Sequence, residues 1–132
     1  MSITILRDGR TGMRHTVQVR NHAITVDESV VVGGDDAGPT PHDLYDAALG
    51  ACKALTVLWY ANRKGIALQD IEDVVDRDAS AERQGAYKLK TALRLTGDLS
   101  EAQRIELMKV AAKCPLHKLM TEVKTEVETV WA

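Results

Sequence analysis

Residues 33–65 read GGDDAGPTPHDLYDAALGACKALTVLWYANRKG. A glycine-rich loop feeds a long apolar helix, and one cysteine, Cys52, sits in its middle. The pattern predicts a helix from Pro41 to Lys64. Thr40 is a good N-cap, Pro41 takes the first helical position, and Asp43 at the third makes a near capping box. Gly65 is the stop just past the C-terminus. These 24 residues span roughly 36 Å at the usual helical rise. From Ala47 to Ala61 the helix is apolar almost all round, so it is expected to be buried on most faces, in a core or a subunit interface.

Before the loop the chain reads as β. Ile3 and Ile5 alternate in SITIL, Val17 and Val19 alternate in HTVQV, and RDGRTG between them is a hairpin turn with two glycines. AITVD gives a third strand, and SVVV extends it or adds a fourth. After the helix a β stretch covers about Ile71 to Asp78, and AERQG turns the chain. YKLKTALRL then places Tyr87, Leu89, Thr91, Leu93 and Leu95 on one face and Lys88, Lys90 and Arg94 on the other, as in a half-solvated antiparallel strand. Ser100 and Gln103 form the capping box of a second helix ending near Lys113. Pro115 has a helix-start context, and Val123, Thr125, Val127, Thr129 and Trp131 alternate as a last strand. The order βββ-α-ββ-α-β is α+β with mostly antiparallel pairing. No repeat, linker or low-complexity tract interrupts it, so residues 1–132 are read as one domain.

The net charge of −2 argues against nucleic acid as a partner, because such proteins carry a basic excess. Aromatic residues make up 4% of the chain and Phe is absent, so platforms for stacking bases are not expected. No apolar run reaches the ~20 residues needed to span a bilayer. The N-terminus has no signal-peptide pattern, which points to the cytoplasm and away from a membrane. Two cysteines in a reducing compartment are not a disulfide framework. They are inert core thiols, metal ligands or a redox pair.

Cys52 shares a helical face with Leu44, Ala48, Leu55 and Trp59. It reads either as a small apolar core residue or as a reactive thiol that needs a nearby cation. Cys114, in KCPLHK, lies between a helix end and a proline-initiated turn. There it either caps the turn or is a thiolate favoured by the helix N-terminus, with Lys113, His117 and Lys118 adding positive character. Cys114 and His117 also have the spacing of two zinc ligands, with Cys52 as a third. Structural zinc takes four ligands, and no CxxC or HxxxH completes the set. GGDDAGP lacks the lysine of a phosphate loop and precedes an acidic helix start, so it is a flexible or close-packed loop. His42 and Asp43 fall in the first helical turn, where Asp43 as a cap is the plain reading. No hydrolase signature is present.

GPTPHDLYDAALGACKALT together with LSEAQRIELMKVAAKCPLHKLM resembles the OsmC/Ohr family of osmotically inducible and organic-hydroperoxide-resistance proteins. The likeness covers nearly the whole chain. Its specific signal is a Cys in an Ala-rich helix after a proline, with Cys-Pro about 60 residues later. VDESVVVGGDDAGPTP and YANRKGIAL look like the OsmC-like branch with a GP-[ST]-P loop. The resemblance implies an intertwined homodimer in which antiparallel sheets wrap around long central helices. It implies that Cys52 is the peroxidatic and Cys114 the resolving cysteine of a thiol-dependent organic hydroperoxide reductase, reset by a lipoyl-type dithiol, with no metal or flavin cofactor. It also implies an arginine from the N-terminal strands, held by a glutamate at the helix start. GRTG makes Arg10 the nearest match, with Arg14 the alternative. Where that glutamate is expected the chain has His42, and the acid is the next residue, Asp43, about 100° round the helix. The non-enzymatic alternatives are a redox-sensing or small-ligand-binding dimer on the same fold, and a structural dimer with two inert thiols.

Overall fold

The computed structural model describes residues 1–132. Two compact units divide it, Met1–Asp46 and Ala47–Ala132, with the boundary inside the long helix.

In the first unit, strands β1 (Ile3–Arg7), β2 (His15–Val19) and β3 (His22–Val26) form an antiparallel sheet in the order β1-β2-β3. Ile3 pairs with Val19 and His15 with Val26. The RDGRTG turn uses positive φ at Gly9 and Gly12, and the Arg7 guanidinium donates to the Gly12 carbonyl at 2.8 and 3.1 Å. SVVV does not continue the sheet. Val30–Val32 is a 3-10 turn, and Val31 is 97% exposed.

The cause lies three residues earlier. One oxygen of the buried Asp27 accepts from the Glu28 amide at 2.8 Å, and the other from the Asp35 and Ala37 amides at 3.1 Å each. This carboxylate folds the glycine-rich segment back on itself, which β-propensity in a valine run cannot overcome. Gly34 is buried against the Glu28 carbonyl, where a Cβ would collide. GGDDAGP is therefore a close-packed loop. The amides of Glu28 and Ala37, foremost among the causes, hold the Asp27 carboxyl below its usual range. A carboxylate depressed in the folded state contributes stability above its unfolded pKa of about 3.9, and that contribution is lost as pH falls through the folded value. Asp27→Asn is expected to flatten the acid limb of a urea-midpoint-against-pH plot. An acid limb as steep as in the parent would refute this role.

α1 (Pro41–Lys64) has the bounds its caps predict. Thr40 and Asp43 close a full reciprocal box, the Thr40 amide donating to Asp43 Oδ2 at 3.0 Å and the Asp43 amide to Thr40 Oγ1 at 3.1 Å. Gly65, at φ 66°, ends the helix, and the Ile66 amide turns back to the Ala61 carbonyl at 2.9 Å.

In the second unit, β4 (Leu68–Asp78) and β5 (Lys88–Gly97) form a two-stranded antiparallel ribbon. Leu89, Thr91, Leu93 and Leu95 face inward, alternating with exposed residues. α2 (Glu101–Ala112) opens on the Ser100–Gln103 capping box. α3 (Pro115–Thr121) follows at once with Cys114 as its N-cap. Val57 and Ala61 of α1, Leu95 of β5, and Leu107 and Ala111 of α2 are the buried core. The Tyr60 hydroxyl donates to Glu106 and ties α1 to α2. Gly50 is buried in α1 because a Cβ there would meet Val75 Cγ2 of β4 at 2.6 Å. Glycine is a poor helix interior residue, but here it lets the helix sit close on the ribbon.

One expectation changes, and another is met in part within a single chain. Residues 123–132 form no strand and are exposed, because no neighbouring strand offers them a ladder. Within its own chain α1 is buried on one stripe: Leu49, Lys53, Val57 and Ala61 are buried, while Leu55 and Trp59 are 67% and 59% exposed.

Candidate functional site

α1 sets the first half of the site. Consecutive helical residues point about 100° apart, so Cys52 and Lys53 face different ways. Lys53 lies on the inward stripe and is 4% exposed. Cys52 is half-buried at the stripe's edge, with its sulfur 4.0 Å from Thr56 Oγ1.

The turn from α2 into α3 sets the second half. Pro115 starts α3 without needing a backbone donor, which leaves Cys114 in extended conformation as the N-cap. Its sulfur is fully buried and accepts from the His117 amide at 3.4 Å. The Cys52 thiol is its neighbour, near enough to hold the Cys114 proton more tightly, and neither cysteine is in a disulfide. The fold thus brings together two thiols far apart in sequence.

The Cys114 thiol is pushed above its usual range. Burial is the main cause, and the neighbouring Cys52 thiol adds to it, while the His117 amide and the Lys53 charge pull the other way. The helix start alone would favour a thiolate at Cys114. Burial outweighs it, so Cys114 keeps its proton.

Lys53 organises the polar side of the site. Its Nζ donates to the Ala111 carbonyl at 2.9 Å and contacts His117 Nδ1 at 3.0 Å. Asp73 of β4 faces the same region, with Oδ2 3.5 Å from where a Gly50 Cβ would lie. Neither Asp73 oxygen has a well-formed hydrogen bond. Burial raises the Asp73 carboxyl, against the charge of Lys53 and a weaker pull from the Ala92 amide. An adjoining pocket of about 200 Å³ is walled by Leu49, Leu93, Met108 and Ala112, and Lys53 and His117 supply its polar lining together with Thr91.

The remaining residues singled out in the sequence belong to the first unit. Arg10 is exposed in the β1–β2 turn. Arg14 pairs with Asp8 at 3.5 Å. His42 is exposed in the first turn of α1, and one Asp43 oxygen is engaged in the helix cap. No three His, Cys, Asp or Glu side chains stand close enough together to hold a metal ion.

A family model described as OsmC-like protein matches residues 33–129. The chain belongs to the OsmC-like family. Its fold is that of solved members and relatives. An OsmC-like protein from Mycoplasma pneumoniae superposes with a TM-score of 0.73 at 20% identity, covering 92% of this chain and 87% of that one. An organic hydroperoxide resistance protein OsmC from Legionella pneumophila gives 0.63 at 22% identity, covering 90% of each chain. The organic hydroperoxide resistance protein OhrB of Bacillus subtilis gives 0.60 at 20% identity, covering 92% of each. Comparison by sequence with curated proteins finds no match.

In this OsmC-like chain, sequence reasoning passed over Lys53 and Asp73. For Lys53 the signal was present: it lies four residues from both Leu49 and Val57, a charge on the apolar stripe. Asp73 lies among acidic residues of an alternating strand, and nothing in that pattern marks it as the one turned toward a helix.

Proposed function

We propose that this OsmC-like protein is a thiol-dependent peroxidase that reduces organic hydroperoxides. The observation that carries the reading is that the Cys52 and Cys114 thiols are neighbours, delivered by α1 and by the N-cap of α3. Cys114 keeps its proton, and in this reading Cys52 is the attacking thiol. The Cys52 thiolate attacks one peroxide oxygen and the O–O bond breaks. The alkoxide takes up the proton Cys52 released and leaves as an alcohol, and Cys52 becomes a sulfenic acid. Cys114 attacks that sulfur, and a Cys52–Cys114 disulfide forms with loss of water. A lipoyl-type dithiol restores both thiols by two exchanges and is itself oxidised to its disulfide.

The resemblance adds Arg10, or Arg14 in its place, as a cation near the thiolate, and a homodimer as the working unit. The exposed Leu55 and Trp59 near Cys52, and the unpaired alternating segment 123–132, are surfaces a second copy would cover. A single domain acting in the cytoplasm fits this reading. No helix is long and apolar enough to cross a membrane.

A second reading has its own observation. His42 stands where the family glutamate is expected, and the neighbouring Asp43 carboxylate serves the helix cap. A chain without that acid suits a redox-sensing or small-ligand-binding dimer whose cysteines oxidise with little turnover. Peroxide consumption with dihydrolipoamide separates the two. Sustained turnover with a Cys52–Cys114 disulfide in the mass spectrum supports the peroxidase. One equivalent consumed without turnover supports the sensor. Overoxidised Cys52 beside untouched Cys114 overturns the resolving role.

A further inference from the structure

A buried ammonium is costly unless its protons are placed and its charge has a use. Lys53 has two of its three donors placed, one on Ala111 and one on His117. Ala111 lies in the last turn of α2, where the carbonyls lack helical partners and carry the negative end of the helix dipole. An ammonium that donates to His117 Nδ1 leaves the ring proton on Nε2. The same His117 gives its backbone amide to the Cys114 sulfur. Lys53 is thus held from two sides by elements that also hold the thiol pair.

The groups facing Lys53 are few. α2 presents the Ala111 carbonyl, α3 presents His117, β4 presents Asp73, and the thiol whose ionisation the Lys53 charge favours is Cys114. Asp73 is the one carboxylate among them, and its oxygens make no well-formed hydrogen bond. The Lys53 charge is therefore not consumed in a close ion pair, and its field reaches the Cys114 sulfur.

We propose that Lys53 is the positioning cation of the site: fixed by Ala111 and His117, it stabilises negative charge on the Cys52–Cys114 pair from inside the protomer. It rests on the thiol reading of the site, but it needs no arginine from the N-terminal strands. Asp73 opposes it, since an anion near Lys53 weakens the field the thiols feel.

The test is alkylation by iodoacetamide as a function of pH, resolved for each thiol by mass spectrometry. The apparent midpoint belongs to the pair. In Lys53→Met it rises by about one pH unit or more, the usual effect of removing a neighbouring opposite charge. Lys53→Arg moves it back toward the parent value. Asp73→Asn, close in shape and removing no well-formed hydrogen bond, moves it down. A folded Lys53→Met with an unmoved midpoint overturns the proposal. If Lys53→Met does not fold, Asp73→Asn decides: a downward shift supports the role, and an unmoved or raised midpoint overturns it. The assay uses no peroxide. A protein whose midpoint depends on Lys53 but which never turns over peroxide would sink the peroxidase and leave this inference standing.

Discussion

Replacing Cys52 by Ser is expected to end dithiol-dependent peroxide turnover, with a loss on the order of 10⁴-fold or more, as when a nucleophile is removed. A hydroxyl at this position is not ionised near neutral pH, and the helix around it holds no second nucleophile of comparable strength. Cys114→Ser should behave differently. Its Cys52 still attacks, so the first equivalent of peroxide is consumed per chain to give the sulfenic acid. The sulfenic acid then has no resolving partner, and a second equivalent of peroxide oxidises it to the sulfinic form with release of another alcohol. Single-turnover consumption followed by mass analysis of the Cys52 peptide distinguishes the two variants. Turnover that survives Cys52→Ser would remove the peroxidatic role from this helix altogether.

The largest effect on stability is expected at Leu107. Its side chain is fully buried against Val57, Ala61, Leu95 and Ala111. Leu107→Ala deletes three carbons from the one cluster that joins α1, α2 and β5, and such truncations cost about 2–5 kcal/mol. For a domain held by about 5–15 kcal/mol, that is a large fraction. Urea unfolding followed by far-UV circular dichroism should show it as a lower midpoint with a similar slope. An unchanged midpoint would mean that this cluster is not the stabilising core. The effect should extend to the site, because Leu107 and Ala111 are one helical turn apart and Ala111 anchors Lys53.

Local rules made much of the fold legible. α1 could be bounded to the residue because Thr40, Pro41, Asp43 and Gly65 each act on their immediate neighbours. The Ser100–Gln103 box and the alternation of Leu89 to Leu95 worked for the same reason. Failures came where the deciding partner is remote. Val30–Val32 has strand composition, but Asp27 reaches forward to Asp35 and Ala37 and bends the chain away. Residues 123–132 alternate, and alternation specifies a face without supplying a neighbouring strand. The thiols could be named from the family resemblance, whereas the charge beside them could not. Lys53 looks like a solvated interruption until its spacing from Leu49 and Val57 puts it on the inner face.

The outward face of α1 makes the protein its own spectroscopic probe. Trp59 is 59% exposed and stacks under Arg63 at 5.2 Å, and Trp131 is fully exposed near the chain end. Those are the only two tryptophans in the sequence. Both indoles therefore emit from a watery environment in an isolated chain. Any event that covers this face or the terminal segment would shift the emission to the blue, with no label added. Dilution would reverse the colour if the covering surface is another copy of the chain.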